Sequence, residues 1–411
     1  MRTYRFRIYP SDTQIDMLDT AMELYRQLYN AMLQQRIYAR RSGGMVNYNS
    51  QQDELPGLKT AFPEYRSIHS QVLQNVPGRL DRAYDNFFRR MEEKKNGKNI
   101  KAGFPRFKSK ERYNSITYPQ SGFRILDNGH VWLSKIGEVR MFMHRPVTGS
   151  ISTLTIKRDN VGDWFITVTA DQYGDSGTDT QEGGDPEEYH ANSPEFMNPI
   201  GIDLGLKALI TTSDGDQIDP PRFLRKSEKK LKRAQRNLSR KKTGSGKRKK
   251  AKKRVAIIDR KIARQRDDFT HKISRKLVDE HDFIALEDLN IAGMVKNHHL
   301  AKSISDAGWD QIVRYTMYKA ESAGAAVVLV DPMHTSQKCS KCGNIKHDLK
   351  LSDRGYHCDV CGLTMDRDLN AAINIRNAGL INVGRDTPEV TPVEIGAMPV
   401  ATPVAETGSP R

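Results

Sequence analysis

The 411-residue sequence contains no run of about 18 apolar residues, which excludes an ordinary membrane-spanning helix. Its opening, MRTYRFRIYP, lacks the apolar core of a signal peptide, so the expectation is a soluble protein that stays inside the cell. Cysteine is scarce: four residues, all between positions 339 and 361, too few and too clustered for a disulfide scaffold. No convincing G-x-x-x-x-G-K-[ST] or G-x-G-x-x-G is present, which argues against nucleotide-fuelled or redox chemistry. Acidic residues are in deficit. Lysine and arginine number 66 against 50 aspartates and glutamates, giving +16 and pointing to a polyanionic partner. The sign alone does not separate DNA, RNA and anionic membrane. At about 150 residues per domain, the length predicts two or three domains with real cores.

The positive charge is concentrated. Residues 222–266 hold 22 Lys/Arg and two acids, so this stretch is +20 and the rest of the chain is −4. Apolar residues recur in and beyond it at helical spacing, Leu231 and Leu238, then Ile258, Ile262, Phe269, Ile273 and Leu277. Residues 243–246, TGSG, interrupt them, and the pattern predicts a basic helical hairpin. A solvated helical face is the plainer explanation, but this density of cations favours phosphate contact. The opposite sign dominates residues 171–195, with eight acids and no Lys/Arg, and 171–197 is expected to be a disordered linker. The Pro-, Val- and Thr-rich stretch 379–411 is expected to be a disordered tail.

In the N-terminal third, MRTYRFRIYP alternates like a half-buried strand, and Pro10-Ser11-Asp12 opens a helix running towards Arg41. A second helix is expected over 67–91, with a kink or restart at Pro77. From residue 103 short strands and turns follow, including Asp127-Asn128-Gly129, so the module is β-rich with a helical insertion. In FPRFK, Phe104 and Phe107 interleave with Arg106 and Lys108, suited to stacking on bases and binding phosphate. A place in the core explains either ring equally well.

After the acidic stretch, Ile200, Ile202 and Leu204 alternate with Gly201, Asp203 and Gly205. An aspartate in mid-strand wants an explanation, and flanking glycines would let a metal or phosphate approach the backbone. A second strand is expected over 206–212, closed by an Asp214-Gly215 turn. DFIALEDLN ends a buried parallel strand on Glu287, the end at which ligands bind in open α/β sheets. AAVVLVD supplies another buried strand, and MDRDLNAAINI sets Asp366 and Asp368 at a helix start. Each acid has a dull explanation as a turn residue, a surface acid or an N-cap. Together they supply the oxygen ligands that two Mg²⁺ ions need for phosphodiester hydrolysis, with no His or Ser nucleophile.

Cys339, Cys342, Cys358 and Cys361 form C-x₂-C-x₁₅-C-x₂-C, the spacing of a four-thiolate Zn²⁺ ribbon. An iron–sulfur centre or two redox pairs would also use four cysteines, but each pair has the knuckle form C-x-x-C-G. Four ligands close the shell, so the zinc would be structural. Asp368 follows Cys361 by seven residues, so the ribbon is expected to fix where that acid enters the sheet.

GIDLGLKALI, IALEDLNIAGM, CSKCG…CDVCG and MDRDLNAAINI occur here together and in order, with YNAMLQQR, QVLQNVPGRLDRAYDNFF and GFPRFKSK upstream. This set resembles the TnpB family, RNA-guided nucleases of insertion sequences related to type V CRISPR effectors. The resemblance implies an α/β RuvC-like nuclease domain of RNase H fold with an inserted zinc ribbon, and an N-terminal wedge-like β-barrel carrying a helical recognition insertion at about 10–105. The divisions would be 1–170 for the wedge, 171–197 for the linker, 198–335 and 363–378 for the nuclease domain, 222–278 for its basic hairpin, 336–362 for the ribbon and 379–411 for the tail. Asp203, Glu287 and Asp368 would be the Mg²⁺ triad, Asp368 being favoured over Asp366 because the family's third acid stands in D-x-N-A-A. Arg354, in LSDRGYHC, would lie near the scissile phosphate; otherwise it is a surface cation. The partners implied are a guide RNA from the end of the protein's own element and target double-stranded DNA cut beside a short motif, with the element's separate transposase at the genetic level. Gln71 and Gln74 would read adenine edges, and the setting would be the prokaryotic cytoplasm, at the nucleoid. The acidic stretch departs from the family pattern.

Overall fold

In the computed structural model, which describes residues 1–110, 113–171, 196–350 and 353–384, the chain divides into two units, Met1–Gly184 and Asp185–Arg411. Strand β1 (Arg2–Tyr9) opens the first, burying Tyr4, Phe6 and Ile8 and turning Arg5 and Arg7 outward. Ser11 then caps α1 (Asp12–Arg41) reciprocally: its Oγ accepts from Gln14 N at 3.3 Å, and Ser11 N donates to Gln14 Oε1 at 3.0 Å. Helices α2 (Tyr48–Asp53) and α3 (Leu55–Ala61) and a 3₁₀ turn (Pro63–Ser67) lead to α4 (Ser70–Lys95). Of the kink or restart expected at Pro77, the restart does not occur: α4 continues through it. The burial of Val72, Leu73, Val76 and Leu80 holds the turns on both sides of the residue that cannot donate.

Strands β2 (Ser115–Tyr118), β3 (Phe123–Ile125), β4 (His130–Leu133), β5 (Gly137–Phe142), β6 (Ser150–Arg158) and β7 (Trp164–Asp171) join β1 in an antiparallel sheet of order β2-β6-β7-β1-β5-β4-β3. Phe6 sits opposite Ile166 and Tyr4 opposite Val168, so inward pairs line the core. The sheet curls until its edges meet, where the Tyr118 ring lies 6.3 Å from Phe123. The result is nearly closed.

The second unit is built on a mixed sheet of order β10-β9-β8-β11-β12. It comprises β8 (Pro199–Leu204), β9 (Ile210–Thr212), β10 (Gln217–Ile218), β11 (Phe283–Glu287) and β12 (Ala326–Val330), with β8, β11 and β12 parallel. Between β10 and β11 stand α5 (Phe223–Ser239) and α6 (Gly246–Glu280); between β11 and β12 stand α7 (Ile291–Met294), α8 (His298–Ala307) and α9 (Trp309–Ala323). A short hairpin, β13 (Gly355–His357) and β14 (Thr364–Asp366), precedes α10 (Arg367–Gly384). Ile200, Ile202, Ile284 and Leu286 pack with Ile273 and Leu277 of α6 and Ile312 of α9. The other parity, Phe283, Ala285 and Val330, packs with Ile375 of α10. Helices thus cover both faces.

Several boundaries move. The strand expected over 206–212 is only β9, because Leu209 N bonds to Ile218 O just before it. Of the acidic linker, Asp171 belongs to β7 and Phe196 lies with its ring 4.6 Å from that of Phe283, while 172–195 fall outside the described residues. Helix α10 continues six residues into the expected tail, with Gly379 buried against the sheet, and 385–411 fall outside the described residues.

Candidate active site and cysteine centre

The acids come together through strand register and a helix seat. Ile202 on β8 is paired in parallel with Leu286 on β11, so Asp203 and Glu287 follow as the next residues of adjacent strands, about 4.8 Å apart across the ladder. Both have the parity of Gly201 and Ala285, the face that α10 covers. A Cβ on Gly201 would run into Ala372 O and lie 2.5 Å from Arg376 N, and one on Gly379 would lie 2.7 Å from Ala285 Cβ. The two glycines therefore seat α10 directly on β8 and β11. Asp203 lies two residues along the strand from Gly201, and Asp368 lies four residues back along the helix from Ala372. These spans, about 6.6 Å and about 6 Å, are nearly equal, so Asp368 is delivered beside Asp203.

This corrects the expected role of the glycines. The space at Gly201 is taken by α10, and that at Gly205 by Ala208 O, 2.6 Å from where a Cβ would stand. They admit protein backbone rather than a ligand.

Electrostatics follow from the crowding. Burial, then the charges of Glu287 and Asp368, push the Asp203 carboxyl up to about 8; Arg367 opposes this and Asp366 adds to it. Burial also raises Glu287, which is 8% exposed, against a hydrogen bond from Thr335 Oγ1 to its Oε1 at 2.6 Å. Asp366 Oδ1 accepts from Asp368 N at 2.9 Å and Leu369 N at 3.2 Å, so it caps α10. Arg367 Nε lies 3.6 Å from Asp368 Oδ1. Arg354 is exposed, and its backbone O accepts from Arg367 N at 2.8 Å, one residue before Asp368.

In the cysteine centre, Cys339 Sγ lies 3.6 Å from Cys361 Sγ and Cys342 Sγ 3.5 Å from Cys358 Sγ, with all four sulfurs within 4.8 Å. Zinc–sulfur bonds of 2.3 Å give tetrahedral edges of about 3.8 Å, so the donor set fits one zinc ion. The N–H groups of Cys361 and Val360 hold the Cys358 thiol at about 6, against burial, which suits a thiolate ligand. Among the described residues this is the one group of three or more His, Cys, Asp or Glu side chains able to share an ion. The three acids do not close into such a cluster.

The sequence led to the expectation that the ribbon fixes the entry of Asp368, but not to the side chains that tie the two centres together. Asn370, fully buried, donates to Lys338 O at 2.7 Å and accepts from Ser340 N at 3.0 Å. Asn374 donates to Lys338 O at 2.6 Å and to Thr335 O at 2.9 Å. One turn of α10 thus clamps the segment that enters the first cysteine knuckle and carries the threonine on Glu287. The signal was two asparagines at i, i+4 spacing beside Ala371, Ala372 and Ile375, on the buried side of the helix.

The N-terminal candidates are placed differently. Gln71 Oε1 accepts from Ser121 N and Oγ at 2.9 and 2.8 Å, leaving its amide N–H groups, while Gln74 is exposed. Lys108 is stapled to α1 through Asn30, and its Nζ stands 5.5 Å from the centre of the Tyr29 ring. Arg106 is exposed. Phe104 packs edge-on against Tyr84 and Phe87, and Phe107 is exposed.

Three families match in sequence: one described as "Probable transposase" (OrfB_IS605) over residues 183–298, "Cas12f1-like, TNB domain" over 309–375, and a "Helix-turn-helix domain" of the OrfB type over 1–45. A Streptomyces pristinaespiralis protein named "Putative RNA-guided DNA endonuclease" is 32% identical, covering 92% of this chain and 89% of that one. The "Putative RNA-guided DNA endonuclease InsQ" of Escherichia coli K12 is 32% identical over 75% of this chain and 74% of its own. A "CRISPR-associated endodeoxyribonuclease Cas12f1" of Sulfoacidibacillus thermotolerans is 35% identical over 30% of each. Sharing nearly full-length similarity with such relatives, together with the four-cysteine centre that follows β12, the chain belongs to the TnpB family.

Proposed function

We propose that the chain is an RNA-guided DNA endonuclease that hydrolyses target double-stranded DNA at a two-Mg²⁺ site held by Asp203, Glu287 and Asp368 on a RuvC-like fold. The observation that carries this reading is the register of β8 and β11, which sets two acids side by side at the carboxyl ends of parallel strands, with α10 bringing the third. The names of the relatives support the reaction class. The donor set fits hard divalent cations: three carboxylates, with the Asp203 carboxyl pushed up by burial and by its two acidic neighbours beyond what Arg367 offsets. When bound, two Mg²⁺ would activate the attacking water and neutralise the leaving 3′-oxygen.

The chain's own residues perform the rest. Thr335 holds Glu287 in one orientation. Asp366 fixes the first turn of α10 and so the direction of Asp368. Arg354, exposed beside that turn, meets the scissile phosphate. The cysteines hold a structural Zn²⁺ that braces the same helix through Asn370 and Asn374. The hairpin α5/α6 binds the guide RNA or its duplex with target DNA through its cations. The guide derives from the end of the protein's own element and the separate transposase is a genetic partner, both acting in the cytoplasm. Gln71, through its amide N–H groups, and Gln74 read the motif beside the target, and Arg106 and Lys108 contact nucleic acid. The wedge spans about 1–170, the nuclease domain about 198–335 with 363–384, and the ribbon 336–362.

The test is cleavage by protein purified with its RNA, in Mg²⁺, on DNA matching that RNA. Asp203→Ala should abolish product while RNA content stays unchanged; undiminished cutting by that variant would overturn the assignment.

A further inference from the structure

The surface of the first unit carries an aromatic corner that neither the sheet nor the acids use. Tyr84, Phe87 and Phe88 lie near the end of α4, and Phe104 follows in the segment after it. Phe104 stands edge-on to Phe87, with ring centres 5.3 Å apart and planes at 77°, and edge-on to Tyr84 at 5.5 Å and 89°. Phe88 leans on Phe87 at 5.3 Å. Despite these contacts Phe88 is 51% exposed, Phe104 42% and Met91 38%. They border a cavity of about 760 Å³, within the range of small-molecule sites. Its rim includes Arg40, Lys95, Glu92 and Asn96.

We infer that this corner takes an unpaired ribonucleotide of RNA, its base stacked on Phe88 and Phe104 and its phosphates on Arg40 and Lys95. Phe87 touches both rings, nearly at right angles to Phe104 and tilted against Phe88, and so fixes two half-exposed aromatic surfaces on which a flat base can stack. Residues 89–101 add six Lys/Arg against two acids. Four of these cations are lysines, a residue depleted in protein–protein interfaces, and single-strand sites combine a basic track with stacking rings. Glu92 selects RNA over DNA. Its carboxylate repels phosphate but accepts from a ribose 2′-hydroxyl, as does the Asn96 amide oxygen. The inference deepens the RNA-guided reading and rests on it for the source of the RNA.

The experiment uses the full-length protein and a short oligouridylate carrying 5-iodouridine, which crosslinks to stacked aromatic rings. The crosslinked peptide should contain Phe88 or Phe104. Phe88→Ala should weaken binding of the unmodified oligomer roughly tenfold and Phe88→Trp should restore it, while affinity for double-stranded RNA stays unchanged in both. The matching oligodeoxyuridylate should bind more weakly than the RNA, and Glu92→Ala should remove that difference. Crosslinks confined elsewhere, unchanged affinity in Phe88→Ala, equal affinity for the deoxy-oligomer, or a homodimer that Phe88→Ala dissolves would each overturn the inference. Asp203→Ala should crosslink like the unaltered protein. Absence of guided cutting by the unaltered protein, with the crosslink retained, would count against the nuclease reading alone, and guided cutting without the crosslink against the stacking site alone.

Discussion

At the scale of single residues, Asp203 carries the largest electrostatic strain of the proposed site. Its carboxyl, ordinarily near 3.8, is pushed up to about 8 by burial and by Glu287 and Asp368. The folded, Mg²⁺-free protein therefore holds a proton that the unfolded chain releases, so this contribution to stability is complete below about pH 4 and is lost as pH rises through about 8. Asp203→Asn should raise the melting temperature at pH 8 in zinc-containing, Mg²⁺-free buffer, by roughly 2–4 °C per kcal/mol recovered, and the two melting curves should converge towards pH 5. Thermal melts across pH would check this. Thr335 offers a second test. Thr335→Val removes the donor to buried Glu287 and should cost about 1–3 kcal/mol of stability in denaturant unfolding, whereas Thr335→Ser retains the hydroxyl and most of the stability. The acids themselves were legible as residues, because an aspartate inside an apolar alternation and a glutamate ending an apolar run break their local patterns. Thr335 was not, since its partner lies 48 positions away.

Among elements, α10 joins the proposed site to the cysteine centre. Its seat depends on Gly201, where any side chain meets Ala372 O. Gly201→Ala should push α10 and Asp368 away from the sheet, costing about 1–3 kcal/mol through overpacking and abolishing cleavage with all three acids intact. Unfolding and cleavage measured on one preparation would check both. The ribbon is held from the same helix by Asn370 and Asn374. Removing zinc by a thiol-selective chelator, or Cys342→Ser, should lower both metal content and melting temperature, and cleavage should fall with them. The spacing of the cysteines was readable because a four-thiolate metal site constrains ligand spacing chemically. The use of Gly201 was not. The sequence suggested space for a ligand, and a helix 171 residues downstream fills it. At Pro77 the helix does not restart, because burial of the flanking turns outweighs the lost hydrogen bond.

For the whole molecule, charge is the dominant feature. The +20 of residues 222–266 lies along α5 and the first part of α6. The side chain of Asp306 in α8 accepts from Leu224 N at 3.0 Å and pairs with Arg266 at 3.3 Å, fastening the base of the hairpin to the rest of its unit. Replacing the exposed Lys229, Lys230, Lys249 and Lys250 by Gln should flatten the dependence of log affinity for nucleic acid on log salt by roughly 0.7–0.9 for each phosphate that is no longer neutralised. The melting temperature should change little, because these side chains are in solvent. Filter binding over a salt series would measure it.

By itself the sequence determined the composition of the parts: a first strand with one apolar parity, a basic hairpin broken at 243–246, four thiolates at zinc spacing, an aspartate inside an apolar alternation, a glutamate ending an apolar run and an aspartate at a helix start. These are local, set by backbone periodicity and ligand chemistry over a few residues. Only the tertiary structure decided which parts meet. The parallel register of β8 and β11 put Asp203 beside Glu287, the glycine seats brought Asp368 across from a distant helix, and two asparagines tied that helix to the ribbon. Such choices depend on steric fit between segments far apart in the chain, and no pattern within either segment encodes it.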